Sequence, residues 1–230
     1  MKVNIMNKKV QLYNYACALK KLLDSALWPG VLVGILLLTY PLCRVLPKTF
    51  GWENGVIENV QAGILLVGFW LALIFARSAK QPQLTNFWIG LAPFWLLFFS
   101  RELSFGRALL PPLRIDVHGP VLQPASGPWY AAIRLALGLY LVWGLYRFFA
   151  NRSGRIVGQL VRGKKFPYFE LGMAALAMVI ATFAEHHGFF DIQIPGDRNQ
   201  LLEELVELVS YLSLFVAQLK VFLHTASKSD

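Results

Sequence analysis

Six apolar runs, each about the length of a helix, dominate this chain and limit what it can fold into. They cover roughly residues 27–43, 56–76, 87–99, 129–149, 168–184 and 205–223. Crossing the hydrocarbon core of a bilayer takes about 20 mostly apolar residues as helix. No backbone polar group can go unpaired in lipid, so only helices and closed barrels span it. These runs are continuous and do not alternate with period two, which argues against a barrel. The pattern predicts an all-α fold, a polytopic transmembrane helix bundle of about six spans. The third run is short and is expected to continue through Ser100-Arg101-Glu102 toward Phe105.

Composition agrees. Only 15% of the 230 residues are charged and 56% are hydrophobic, with a mean hydropathy of +0.50. A soluble domain is about one-quarter charged, so an ordinary globular enzyme and a disordered tail are both excluded. Two cysteines and four histidines exclude a secreted disulfide scaffold and a zinc-finger array. Cys17 and Cys43 flank the expected membrane entry point and are read as free thiols.

Three regions follow. Residues 1–26 form a basic N-terminal segment, either an interfacial helix or an unstructured tail, carrying Lys2, Lys8, Lys9, Lys20 and Lys21. Its charges and late apolar onset do not fit a cleavable signal. Residues 27–223 form the six-helix domain, and residues 224–230 a cytoplasmic tail.

Loop charge sets the expected orientation, because Lys and Arg are retained on the cytoplasmic side. With the N-terminus inside, fifteen of the 22 Lys and Arg fall on cytoplasmic loops and six on the other side. Arg134 lies within the fourth span. Both termini are therefore expected in the cytoplasm, in a cell membrane of the bacterial inner-membrane kind. The net charge of +9 is read as a topology signal plus attraction to anionic lipid headgroups. No nucleic-acid motif accompanies it, and no nucleic-acid partner is expected.

The acids divide the opposite way. Ten of the thirteen, together with His118, His186 and His187, fall at outer helix ends or in outer loops. Positive-inside bias does not call for that, so the outer face is where function is sought. Ionisable groups in spans are costly and default to a functional reading.

Four helices carry such groups toward that face. Glu58 opens the second span, three residues before Gln61 and on the same helical face. Arg101 and Glu102 close the third. As helix neighbours they diverge by about 100°. Glu102 is therefore expected to point inward, toward His186 or Arg134. Arg101 is expected to lie at the headgroup level with its stem snorkelling, where its loss would be mild for stability. Glu185-His186-His187 follows the fifth, where a carboxylate beside imidazole suits zinc or general acid–base work. Glu203, Glu204 and Glu207 open the sixth; Glu204, Glu207 and Tyr211 share a helical stripe, and Asn199 is a candidate cap. Each also has a bland reading: Glu58 and the sixth-span acids as first-turn complements to a helix N-terminus, Arg101–Glu102 as an interfacial anchor, His186 as a cap. The loop after the third span, broken by Pro111, Pro112, Pro120, Pro124 and Pro128, reads as irregular and offers His118 as a further candidate.

The segment Glu102-Leu103-Ser104-Phe105-Gly106-Arg107 resembles the Glu-Ile-Ser-Trp-Gly-Gln stretch of a group of bacterial multi-pass membrane proteins of no assigned activity. An early acidic helix start, as at Trp52-Glu53-Asn54-Gly55, and a late acidic helix, as at residues 202–208, extend the resemblance. It implies a shared multi-pass fold and no activity. Intramembrane amide hydrolases of the alkaline ceramidase type look similar in architecture, but their final-helix His-x-x-x-His is missing here. CAAX-processing proteases use Glu-Glu-x-x-x-Arg, and Glu102 to Arg107 is one residue too long for it.

Three functions remain open. The first is metal-assisted hydrolysis or transfer on an outer-leaflet lipid or lipid-linked headgroup. In it Glu58, Glu102, Glu185, His186 and Glu207 are catalytic, and His186, Glu185, Glu204 and Glu207 hold a divalent metal, zinc for preference. Arg101, Arg107, His118 and Arg134 would bind the anionic headgroup. The second is a non-enzymatic scaffold or partner subunit, in which the polar cluster serves helix assembly. The third is a small transporter.

Overall fold

A computed structural model describes residues 18–25, 27–116, 119–184, 196 and 198–226. The described chain is mostly helical. Its α-helices are α1 (Leu27–Val45), α2 (Val56–Ser78), α3 (Pro82–Glu102), α4 (Pro128–Ala150), α5 (Gly154–Arg162), α6 (Tyr168–Ala184) and α7 (Asn199–Ala226). Residues 18–23 are also helical. By length and composition α1, α2, α4 and α7 are apolar enough to cross a membrane, and α6 is a shorter apolar helix of 17 residues.

Local chemistry explains several boundaries. Pro82 and Pro128 stand in the first turns of α3 and α4, where the missing N–H costs nothing and the fixed φ suits a helix. Helix α3 continues through Ser100-Arg101-Glu102 as expected but stops there, short of Phe105. Ser104, Phe105 and Gly106 have φ of 47°, 55° and 92°, left-handed values that a right-handed helix cannot absorb. The chain instead kinks at Phe105 and Gly106, with short 3-10 turns on either side over Ser104–Leu109. The following loop is not wholly irregular either: β1 (Arg114–Asp116) pairs antiparallel with β2 (Gly119–Val121). At the other end of the chain α7 runs on to Ala226, past the expected limit at Leu223.

Two elements hold the bundle together. Helix α2 packs on α3 and α7, and α7 also receives α1 and α6, while α4 leans on α3. Between α6 and α7 the contact is made by Ala177, Ala181 and Ala184 against Leu202, Val206 and Val209. Small residues let helices approach closely where lipid supplies no hydrophobic drive. Ser210 exploits that closeness by donating to the Ala174 carbonyl at 3.0 Å. Cys43, a buried free thiol, joins the same core.

One end of the bundle is stitched by basic groups. Lys220 and the buried Glu170 pair at 2.5 Å between α7 and α6, and His224 meets Asp24 at 3.1 Å. Arg147 donates to Asn86 at 2.8 Å, and Ser153 to the Gln83 carbonyl at 3.1 Å. Helix α5 lies at this end, with Ile156 and Leu160 tucked into the core and Arg155 and Arg162 outside. Glu58, Glu102, Glu204 and Glu207 collect at the opposite end.

Candidate functional site

The first turn of α2 sets the site's floor. Asn54 adopts φ 58°, which swings its backbone N–H onto the carboxylate of Glu58. Glu58 is thereby tied as a first-turn acceptor, as its position suggests, yet it is also buried. The Asn54 side chain donates to the Ala108 carbonyl at 3.1 Å and so anchors the 3-10 stretch after α3 to the start of α2. One turn further, buried Gln61 donates to the Glu204 backbone carbonyl at 2.7 Å. That bond fixes α2 against the opening of α7.

Three carboxylates meet above this floor. Oxygens of Glu102, Glu204 and Glu207 all lie within 4.8 Å of one another. Glu58 is near enough to interact electrostatically with each of the three. Glu102 accepts the Tyr211 hydroxyl at 2.6 Å, and Arg101 binds Glu207 while its Nε stands 3.5 Å from Glu102. Oε2 of Glu204 is buried and has no hydrogen-bond partner among the described residues. Four acids thus face one contacting guanidinium, and like charges this close repel unless a proton or a cation intervenes.

Arg101 and Glu102 divide as neighbours on a helix must, about 100° apart. The Glu102 side chain is 4% exposed and that of Arg101 45%. Glu102 does face inward, as expected, but its partners are Tyr211 and Arg101. Arg134, one of its two expected partners, instead stacks over the rings of Phe105 at 4.7 Å and Tyr130 at 4.9 Å. Arg101 is likewise not confined to a snorkelling position: its long side chain curls back to Glu207.

Arg107 is held by the loop. It donates to the carbonyls of Ser104 at 3.3 Å and Gln123 at 3.2 Å and sits over Tyr130 at 5.9 Å. Arg107 and Arg134 therefore clamp Tyr130 and the Pro-rich loop, drawn to the negative faces of aromatic rings. Of the sequence-derived candidates, the structure brings Glu58, Arg101, Glu102, Glu204 and Glu207 together. Glu185, His186 and His118 lie outside the described residues.

Reading residues alone missed Arg198 as a structural group. Its guanidinium donates to the Cys43 and Leu46 carbonyls, both at 2.7 Å, satisfying the open C-terminus of α1 where a cation is favoured. Asn199 donates to the Ala184 carbonyl at 3.2 Å, joining the end of α6 to the start of α7. Comparison of the chain with protein-family models, with curated proteins and with solved structures found no match.

Proposed function

We propose that the chain is a six-span protein of a bacterial inner membrane with both termini cytoplasmic. In this reading α3 and α6 cross beside α1, α2, α4 and α7, and the carboxylate end faces outward. The site there binds a divalent cation and acts by hydrolysis or transfer on a lipid-linked headgroup. The observation that carries this reading is the approach of Glu102, Glu204 and Glu207 oxygens to within 4.8 Å.

The donor set tests which cation fits. It is all carboxylate oxygen, and the buried Oε2 of Glu204 lacks a partner among the described residues. Hard cations such as Mg²⁺ and Mn²⁺ take such ligands, whereas zinc sites favour nitrogen and sulfur. Zinc would need His186, outside the described residues, so the four glutamates favour magnesium or manganese. Glu102, Glu204 and Glu207 would hold the ion, which when bound would polarise a phosphoryl or acyl oxygen. Tyr211 orients Glu102 by its hydrogen bond. Glu58, pinned by Asn54, stands beside the three as a proton acceptor for an attacking water. Arg101, half-exposed beside them, is the group suited to an anionic headgroup.

Manganese titration of the purified protein, read by electron paramagnetic resonance, tests the site. One Mn²⁺ per chain is expected, lost in Glu207→Ala. Absence of binding in the intact protein overturns the cation reading. The scaffold reading has its own support, because Arg101–Glu207 and Tyr211–Glu102 both join α3 to α7. It would then be preferred if those variants lose stability while no cation binds. Reporter fusions after residue 230 and near Pro124 check the topology, and the same side for both would overturn it.

A further inference from the structure

The turn after α3 and the start of α4 bring two cations onto one cluster of rings. Phe105 and Trp129 each stand edge-on to Tyr130, with ring centroids 5.8 Å and 6.2 Å away. The Arg134 guanidinium lies over Phe105 at 4.7 Å and over Tyr130 at 4.9 Å, and that of Arg107 over Tyr130 at 5.9 Å. The two arginines therefore share a ring, and both are partly exposed.

Their charge is uncompensated. Stacking on a ring uses the face of a guanidinium and leaves its N–H edge for other partners. Among the described residues, no acceptor meets Arg134, and its contacts are the two rings. Arg107 donates to carbonyls from Nε and Nη1 and keeps Nη2 over. Neither pairs with a carboxylate among the described residues, and the chain has no Asp or Glu between Asp116 and Glu170. Arg134 stands six residues into the apolar α4, about 9 Å along its axis. A cation within a span is costly and takes a partner there. Trp129 is exposed at the start of the same helix, where aromatic residues mark the headgroup level. Beyond Arg134, α4 exposes Leu135, Leu139 and Val142, whose spacing keeps them on one face. An anion with an apolar tail suits both the arginines and this stripe, whereas a free anion suits the arginines alone.

We propose that Arg134, reinforced by Arg107, binds the phosphate of an anionic phospholipid whose acyl chains lie along Leu135, Leu139 and Val142. The proposal rests on the membrane reading but not on the cation site. Two guanidiniums with no carboxylate favour a lipid of net negative charge over a zwitterionic one.

Photolabelling of the intact protein in nanodiscs tests it. The probe is a phosphatidylglycerol with a diazirine in the upper part of one acyl chain, and its adducts are mapped to peptides by mass spectrometry. Adducts at residues 135–142 are expected, competed by unlabelled phosphatidylglycerol and more weakly by phosphatidylcholine. Arg134→Leu should lower labelling there about tenfold, the effect of one charge-assisted hydrogen bond. If that variant fails to fold, Arg134→Gln, which keeps a polar donor without the charge, decides and should show the same loss. Glu207→Ala should label unchanged, so failure of the cation site and failure of this one are told apart. Adducts at the exposed Leu37 and Leu38 of α1, whatever the headgroup, report insertion and keep the membrane reading separate. Equal competition by phosphatidylcholine would mark bulk lipid, and competition by glycerol 3-phosphate a free phosphate. A stripe without adducts would mark a face covered by another chain. Each of these outcomes, or labelling indifferent to loss of the Arg134 charge, would overturn the proposal.

Discussion

Tyr211 Oη lies 2.6 Å from Glu102 Oε1, joining α7 to the last turn of α3 through two side chains that are both buried. This bond and the adjacent Arg101–Glu207 pair set how the carboxylate end closes. Both side chains are buried, so each polar group depends on the other for its hydrogen bond.

Tyr211→Phe should therefore loosen that end while leaving the packing intact. A hydrogen bond to a charged acceptor contributes about 1.5–3 kcal/mol. Unfolding in mixed detergent should show a loss of that order, and a change within error would mean that Arg101 alone suffices to hold Glu102.

Arg101→Ala and Glu102→Ala should differ in the direction opposite to the sequence-based expectation. Placing Arg101 at the headgroup level made its loss mild. In the structure it contacts both Glu102 and Glu207, so its removal leaves an all-acid cluster. Removing Glu102 relieves repulsion while costing the Tyr211 bond. Arg101→Ala should cost about 1–3 kcal/mol, below the 3–5 of a fully buried pair because Arg101 is half-exposed. Thermal melts of the two variants decide, and the assignment fails if Glu102→Ala melts lower.

The contrast shows what a linear reading can reach. Ionisable groups inside apolar runs are conspicuous, so Glu58, Glu102, Glu204 and Glu207 were legible, and the stripe through Tyr211 pointed to α7. Partners were not. Arg134 stacks on Phe105 and Tyr130 because the left-handed residues after Glu102 fold the chain back, and no spacing announces that. The β1–β2 ladder was hidden by its Pro and Gly content. Helix α5 did carry a signal, Ile156 and Leu160 four apart between Arg155 and Arg162, that a search for long runs passes over.

At the basic end, Glu170 and Lys220 form a pair whose acid is 1% exposed. Lys220→Met should strand that carboxylate and cost about 3–5 kcal/mol, whereas Glu170→Leu with Lys220→Met should recover most of the loss. Detergent unfolding of the two variants checks this. A double variant no better than the single would show that the pair contributes more than its own desolvation.

Two glycines on one helix give an internally controlled test of how tightly α2 meets α3. A Cβ at Gly68 would stand 2.6 Å from the Trp95 ring, whereas at Gly63 it would meet nothing within 4 Å. Gly63→Ala should be neutral or stabilising by up to about 1 kcal/mol, since alanine is the better helix former. Gly68→Ala gains the same propensity but must push the Trp95 ring away, and overpacking of this kind costs about 1–3 kcal/mol. The Gly68 carbonyl also holds Gln218. Gly68→Ala should therefore lower stability, while Gly63→Ala leaves it intact. Paired melts read this directly. If Gly68→Ala proves as stable as Gly63→Ala, α2 and α3 are not in the close contact described.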